Sequence, residues 1–212
     1  AVDDRPTLVL ALWGNGMAEL VHGRIEQSVA LFEEIRTVSI GIGSVLGIGA
    51  SAFWLAQIAW VTGDRSRAIS LIEETIARAE AVGDRFFRST AVIDLGGKML
   101  ELGDYERANA LFLDSLEMVH GVDNAHWTAV SLDALGWAAC ARGDPQLAAR
   151  LMGGAEAVND AVGAQFQVWV RASHERAITA LHAALSEDAI AAAWSAGRGL
   201  SLDQLIEEAR RP

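Results

Sequence analysis

Apolar residues recur at three- and four-residue intervals along most of the chain, the spacing of one face of an α-helix. Short polar breaks containing glycine interrupt that pattern at a constant stride. The strings HGRIEQSVALFEE, TGDRSRAISLIEE, LGDYERANALFLD and RGDPQLAARLMGG align on Gly23, Gly63, Gly103 and Gly143, each forty residues from the next. A helical stretch precedes each of these glycines and another follows it, so the repeating unit is a helical hairpin. Asp64, Asp104 and Asp144 stand directly after their glycines, where a carboxylate can accept from the free amides of the next helix, and Pro145 suits a first helical position. Arg24 takes that place in the first copy, which should be capped more weakly.

A second register marks the passage from one hairpin to the next. Gly43, Gly83 and Gly163 lie on it, with Asp123, just after Gly121, at the remaining node. Glycine tolerates the left-handed conformation that ends a helix. The positions that follow are Asp4, Ser44, Asp84, Asn124 and Ala164, four of them good N-cap residues. This register decides how the stretch from Thr37 to Thr62, which holds no charged residue, should be read. It has the length of a membrane span, yet Gly43-Ser44 places a helix stop and start inside it. Gly47 and Gly49 then fall in the first turns of a helix, without the strand and the acidic residue that a dinucleotide-binding loop needs.

Small residues recur where the two helices of a hairpin would cross: Gly16, Ala56, Gly96 and Gly136 on the first helix, Ser28, Ala68, Ala108 and Ala148 on the second. Phe32, Ile72, Phe112 and Met152 follow one turn after the second set. This arrangement resembles the tetratricopeptide repeat in a long, forty-residue version. The tyrosine usual to that motif is replaced by Glu19, Ala59, Met99 and Ala139, so the copies are divergent. The resemblance implies an all-α fold, a right-handed superhelix of antiparallel hairpins, with repeats over residues 4–43, 44–83, 84–123 and 124–163 forming a first region, 1–163. Residues 164–212 form a degenerate fifth repeat with capping helices, since the last face of a solenoid must meet water. There a helix runs to about Leu185, Ser186 caps a shorter partner that Gly197 and Gly199 interrupt, and Ser201 with Gln204 forms a capping box for a last helix.

Ala141 to Ala164 (ARGDPQLAARLMGGAEAVNDAVGA) and Ala191 to Ala209 (AAAWSAGRGLSLDQLIEEA) are similar to the helical C-terminal region of large bacterial regulators with a signal-transduction ATPase core, including LuxR-type transcription factors. That resemblance implies a multidomain parent with a nucleotide-binding module upstream and often a DNA-binding helix-turn-helix downstream. The opening AVDDRP, without an initiator methionine or a signal pattern, fits a piece of a longer protein. No GxxxxGK[ST] loop occurs; Gly97-Lys98 is followed by Met99 inside a predicted helix.

Seventeen basic against 28 acidic residues give a formal charge of −11, which repels phosphate backbones, so this segment is not expected to bind nucleic acid or an anionic membrane. The single cysteine, Cys140, permits no internal disulfide and fits a cytoplasmic setting.

The tetratricopeptide register places the first helices on an inner, concave face where such arrays bind partners. It selects Leu10, Trp13, Met17 and Leu20; Ala50, Phe53, Gln57 and Trp60; Thr90, Ile93, Asp94, Gly97 and Leu100; Val130, Asp133, Trp137 and Cys140; and Ser173 and His174. Within that set Trp13, Met17, Phe53, Gln57, Trp60, Asp94, Asp133, Trp137 and His174 are the candidate groove residues. Tryptophan is enriched at interaction hot spots, although aromatics at helical spacing also pack cores. His22, His120, His126, His174 and His182 form no zinc motif. Cys140, between two alanines, reads as a packing residue, and the Glu33-Glu34, Glu73-Glu74 and Glu207-Glu208 pairs as solvated surface. The expected function is a non-catalytic sensor or scaffold that needs no metal or cofactor. It would bind an inducer, a peptide or a protein, and dock on an upstream ATPase domain of its own parent. The alternative is a protein-interaction adaptor or a self-associating module.

Overall fold

The computed structural model describes residues 5–119, 125–163 and 168–210, with side chains described in the last segment from residue 174. Every regular element among them is an α-helix. The expected caps at Asp4 and Asn124, the Gly121–Asp123 node, Ala164, His120 and the Ser173 side chain lie outside the described residues. The chain divides into two compact units, Ala1–Ala91 and Val92–Pro212.

The first unit contains α1 (Arg5–Val21), α2 (Ile25–Gly41), α3 (Val45–Val61), α4 (Arg65–Ala81) and the first turns of α5 (Arg85–Glu101). Helices α1 and α2 pair, α3 and α4 pair, and α2 leans on α3. Leu12, Phe32, Ile35, Leu55 and Ile58 form the shared core. The second unit holds the rest of α5, then α6 (Tyr105–Val119), α7 (Ala125–Ala141), α8 (Pro145–Ala161), α9 (Val168–Ala184), α10 (Glu187–Arg198) and α11 (Leu202–Ala209).

The glycine lattice accounts for the turns. Gly23, Gly43, Gly63, Gly83, Gly103, Gly143 and Gly163 have φ between 64° and 91°, and among the described residues no other residue has positive φ. At Gly63 its own amide donates to Trp60 O at 3.1 Å and the Asp64 amide donates to Ala59 O at 2.8 Å, the paired closure that satisfies the last carbonyls of α3. The same Asp64 then opens α4 by accepting from the Arg67 amide at 3.1 Å. Asp84, Asp104 and Asp144 repeat that double role, accepting from the amides of Phe87, Arg107 and Leu147. Arg24 makes no side-chain cap, as its chemistry requires; its guanidinium instead binds Glu19. Ser44 caps α3 through the Gly47 amide, so the uncharged stretch is cut in two. Among the described residues no helix is long and apolar enough to cross a membrane.

Within a hairpin the small positions receive the large ones. Phe32, Ile72, Phe112 and Met152 are fully buried. A Cβ on Gly96 would stand 2.3 Å from the Phe112 ring, and one on Gly136 would stand 2.5 Å from Met152 Cγ. The backbones therefore approach as closely as they do only because those side chains are absent. Ser28, opposite Gly16, fills its place and donates to Gly16 O at 2.8 Å.

The end of the chain departs from the expectation of an interrupted partner helix. Gly197 does not break α10, which runs unbroken from Glu187 to Arg198. It is buried against α8, where an added Cβ would lie 1.9 Å from Arg150 O. Gly153, on α8, meets the backbone of Trp194 in the same way. Thus α10 packs chiefly on α8 and only lightly on α9. Glycine here serves close helix contact, and Gly199 forms the stop. The Ser201–Gln204 capping box forms at the start of α11 as expected.

Candidate functional site

The candidate residues fall in both units, and each unit treats them differently. In the first, the faces of the first helices remain open. Leu10 is 69% exposed and Trp13 43%. Met17 packs on the edge of the core. Phe53, half-buried, stacks edge-on against Trp54 at 5.7 Å and lies 6.1 Å from Phe87. Gln57 donates weakly to Phe53 O at 3.4 Å. Trp60 is half-buried, with the Arg65 guanidinium 5.5 Å from its ring centre, within cation–π range.

The second helices of the same unit are ionic. Arg36 holds both Glu74 oxygens at 2.7 and 2.8 Å, and Arg67 reaches Glu33 at 2.8 Å. These glutamates are therefore ties between α2 and α4, beyond the solvated surface that the sequence suggests.

In the second unit the corresponding positions are covered. Val130 and Asp133 are fully buried, so they do not line an open groove, and Trp137 is 7% exposed. Helix α9 packs on α7 and presents His174, Ala177 and Leu181, three and seven residues on, along one side, while the Trp137 ring also meets Phe112 of α6 at 6.2 Å. Ala177 and Leu181 are buried. His174 Nδ1 stands 2.8 Å from Asp133 Oδ1. Asp133 Oδ2 and the Trp137 indole N–H are both buried without a hydrogen-bond partner. The indole dipole still favours the charged carboxylate, although less than His174 does.

Burial pushes the Asp133 carboxyl above its usual range, against the pull of His174. Burial also opposes charge on His174, but the hydrogen bond and charge of Asp133, helped by Glu156 and Glu175, outweigh it and raise the imidazole. Both groups thus hold protons more tightly when the chain is folded. For His174 the stabilisation is complete below its ordinary 6.5 and is lost as pH rises through the raised folded value. For Asp133 the sense is the same, since the raised carboxyl makes stability fall as pH climbs from its ordinary 3.8 through the folded value. The melting temperature should therefore decline as pH rises above 6.5, and His174→Gln should flatten that decline. An equally steep decline in the variant would contradict the assignment.

Asp94 is half-buried, and its partner is the buried Lys98, 2.8 Å away and one turn along α5. Burial raises the Cys140 thiol, in keeping with a packing role. His182 is exposed, and among the described residues no cluster of three His, Cys, Asp or Glu could hold a metal ion. Sequence reasoning did not single out Lys98, Arg176 or Ala177. The spacing of Asp94 and Lys98 carried the signal for the first; nothing local carried it for the others.

A cavity of about 260 Å³ opens between α5, α7 and α9 in the second unit. Gly97, Leu100, Trp137 and Cys140 line it together with Ala177 and Ala180, and Glu101, Ala141 and Arg176 complete it.

No family model matches the sequence, and no curated protein matches it. Solved structures do. A candidate kinesin light chain of Podosopora anserina, with nearly identical TPR-like repeats, is 16% identical over 97% of this chain and 94% of its own, with a TM-score of 0.63. A point variant of that protein is 18% identical over 98% of this chain and 95% of its own, also with a TM-score of 0.63. At such identities the likeness is one of fold, and the fold is a TPR-like array of helical repeats.

Proposed function

We propose that this chain is a non-catalytic interaction module, which receives a peptide or protein partner, or an inducer, on the faces of its first helices. The observation that carries the reading is the contrast between helix faces in the first unit. The second helices are tied by Arg36–Glu74 and Arg67–Glu33, while the first helices keep Leu10 and Trp13 open to solvent and Phe53 and Trp60 half open. Aromatic side chains left exposed beside apolar neighbours are the composition of binding hot spots. The similarity of Ala141–Ala164 and Ala191–Ala209 to LuxR-type regulators supports a bacterial multidomain transcriptional regulator as the parent. In such a protein, occupancy of the first-helix face would pass to a neighbouring ATPase domain through repeat-to-repeat contacts. The open Leu10–Trp13 face equally suits a second copy of the chain, which would make the module self-associating.

Peptides selected from a random display library against this chain test the reading. Their affinity should fall by about tenfold or more on Trp13→Ala or Trp60→Ala, with little change in melting temperature for the exposed Trp13. Selected peptides that bind both variants as tightly as the parent chain would overturn it.

A further inference from the structure

The cavity of the second unit is made by one departure from the repeat. At the register position of Gly97 the other copies carry Met17, Gln57 and Trp137, all larger. A Cβ built on Gly97 meets nothing within 4 Å, unlike the glycines at the helix crossings, which are filled by a neighbour. Gly97 is thus a glycine that helix packing does not require, in the interior of a helix that glycine weakens. What its absent side chain leaves is room. Ala177 and Ala180 of α9 keep the opposite wall short, Leu100 adds an aliphatic wall, and Trp137 and Cys140 contribute an aromatic ring and a sulfur.

We infer that this cavity is a binding site for an indole-sized aromatic group. An enclosed apolar cavity of about 150 Å³ accepts benzene; this one, at about 260 Å³ and open to solvent on one side, has space for a fused pair of rings with their polar edge outward. The chemistry points the same way, because an aromatic wall and a sulfur both favour an aromatic guest over an aliphatic one. Glu101 and Arg176, whose charged ends are 3.7 Å apart, stand among the lining residues and supply its polar edge. The inference shares with the proposed function only the first-helix position of Trp137. It concerns the second unit, so it can fail while peptide binding at Trp13 and Trp60 stands, and the reverse.

Cys140 is the one cysteine in the chain and lines the cavity, so its reaction with a maleimide reports occupancy without any added label. In the intact chain, saturating indole should slow that reaction by about fivefold or more, as mass action requires when the guest covers the thiol. Gly97→Leu, which fills the space from α5, should abolish the response to indole, and Ala180→Leu should do the same from α9, so the test survives the misfolding of either variant. A blocked Trp tripeptide run beside free indole separates the source of the group. Protection by indole alone assigns a free small molecule, and protection by both assigns a site that also takes the side chain of a partner. If neither slows the reaction, or if indole still protects Cys140 in a folded Gly97→Leu or Ala180→Leu chain, the inference is overturned.

Discussion

Gly197→Ala should destabilise the second unit by about 2 to 3 kcal/mol, the cost of forcing extra volume into a packed contact. The sign is what makes the expectation informative. In a helix interior that packs on nothing, the same change would stabilise by about 1 kcal/mol. At Gly197 the added carbon would stand 1.9 Å from Arg150 O, and the obstructing atom belongs to the backbone of α8, so no rotamer can yield. The shift would pull on everything that fastens α10 to α8: the Trp194 indole donating to Glu156 at 2.7 Å, and Arg198 bridging Glu156 and Asp160. Gly199→Ala is the control, since its built Cβ sits 3.4 Å from the nearest neighbouring atom, Ala196 O, and its φ is an ordinary −86°. Urea unfolding of the three chains measures the difference. A Gly197→Ala chain as stable as the parent would rule out the close α8–α10 contact.

What the sequence disclosed and what it hid divide along a physical line. Turn chemistry is local, so Gly63 followed by Asp64 could be read as a stop and a start without knowing any neighbour, and the same holds for the Ser201–Gln204 box and for the missing cap at Arg24. The hairpin contacts were legible as well, because forty-residue repetition turns a distant contact into a column: Gly16, Ala56, Gly96 and Gly136 in one, Phe32, Ile72, Phe112 and Met152 in the other. Legibility ends where the repetition ends. Gly197 reads as a helix stop from its neighbours and only the position of α8 reveals it as a contact. The Asp133–His174 pair joins residues 41 positions apart, off the stride, because α9 runs on to Ala184, past the end that the register of α1, α3, α5 and α7 would give it. The burial of Asp133 beneath His174 of that same helix could not be seen in its own stretch. Gly97 was visible as the small member of a column of larger residues, and the cavity beside it is the consequence.

The folding unit of this chain is the pair of helices; single helices with correct caps are not enough. Two deletions separate these. Removing residues 44–83 takes out α3 and α4 together and joins Gly43 to Asp84, which reproduces the native Gly83–Asp84 junction. Removing residues 44–63 takes out α3 alone and joins Gly43 to Asp64, an equally good stop and start, but sets two second helices in succession, so that α4 loses the small Ala56 surface on which Ala68 and Ile72 pack. Local signals are preserved in both chains; only the pairing differs. Repeat arrays tolerate loss of a whole unit because each repeat contacts only its neighbours, whereas an unpaired helix of 17 residues is marginal by itself in water. The measurement is thermal melting followed by circular dichroism on the two deletion chains. Pairing as the folding unit predicts a helical spectrum and a cooperative transition that includes the first unit for the chain lacking residues 44–83, and, for the chain lacking 44–63, loss of the first unit's share of the helical signal with only the second unit's transition left. Equal behaviour of the two chains, whether both fold or both fail, would contradict it.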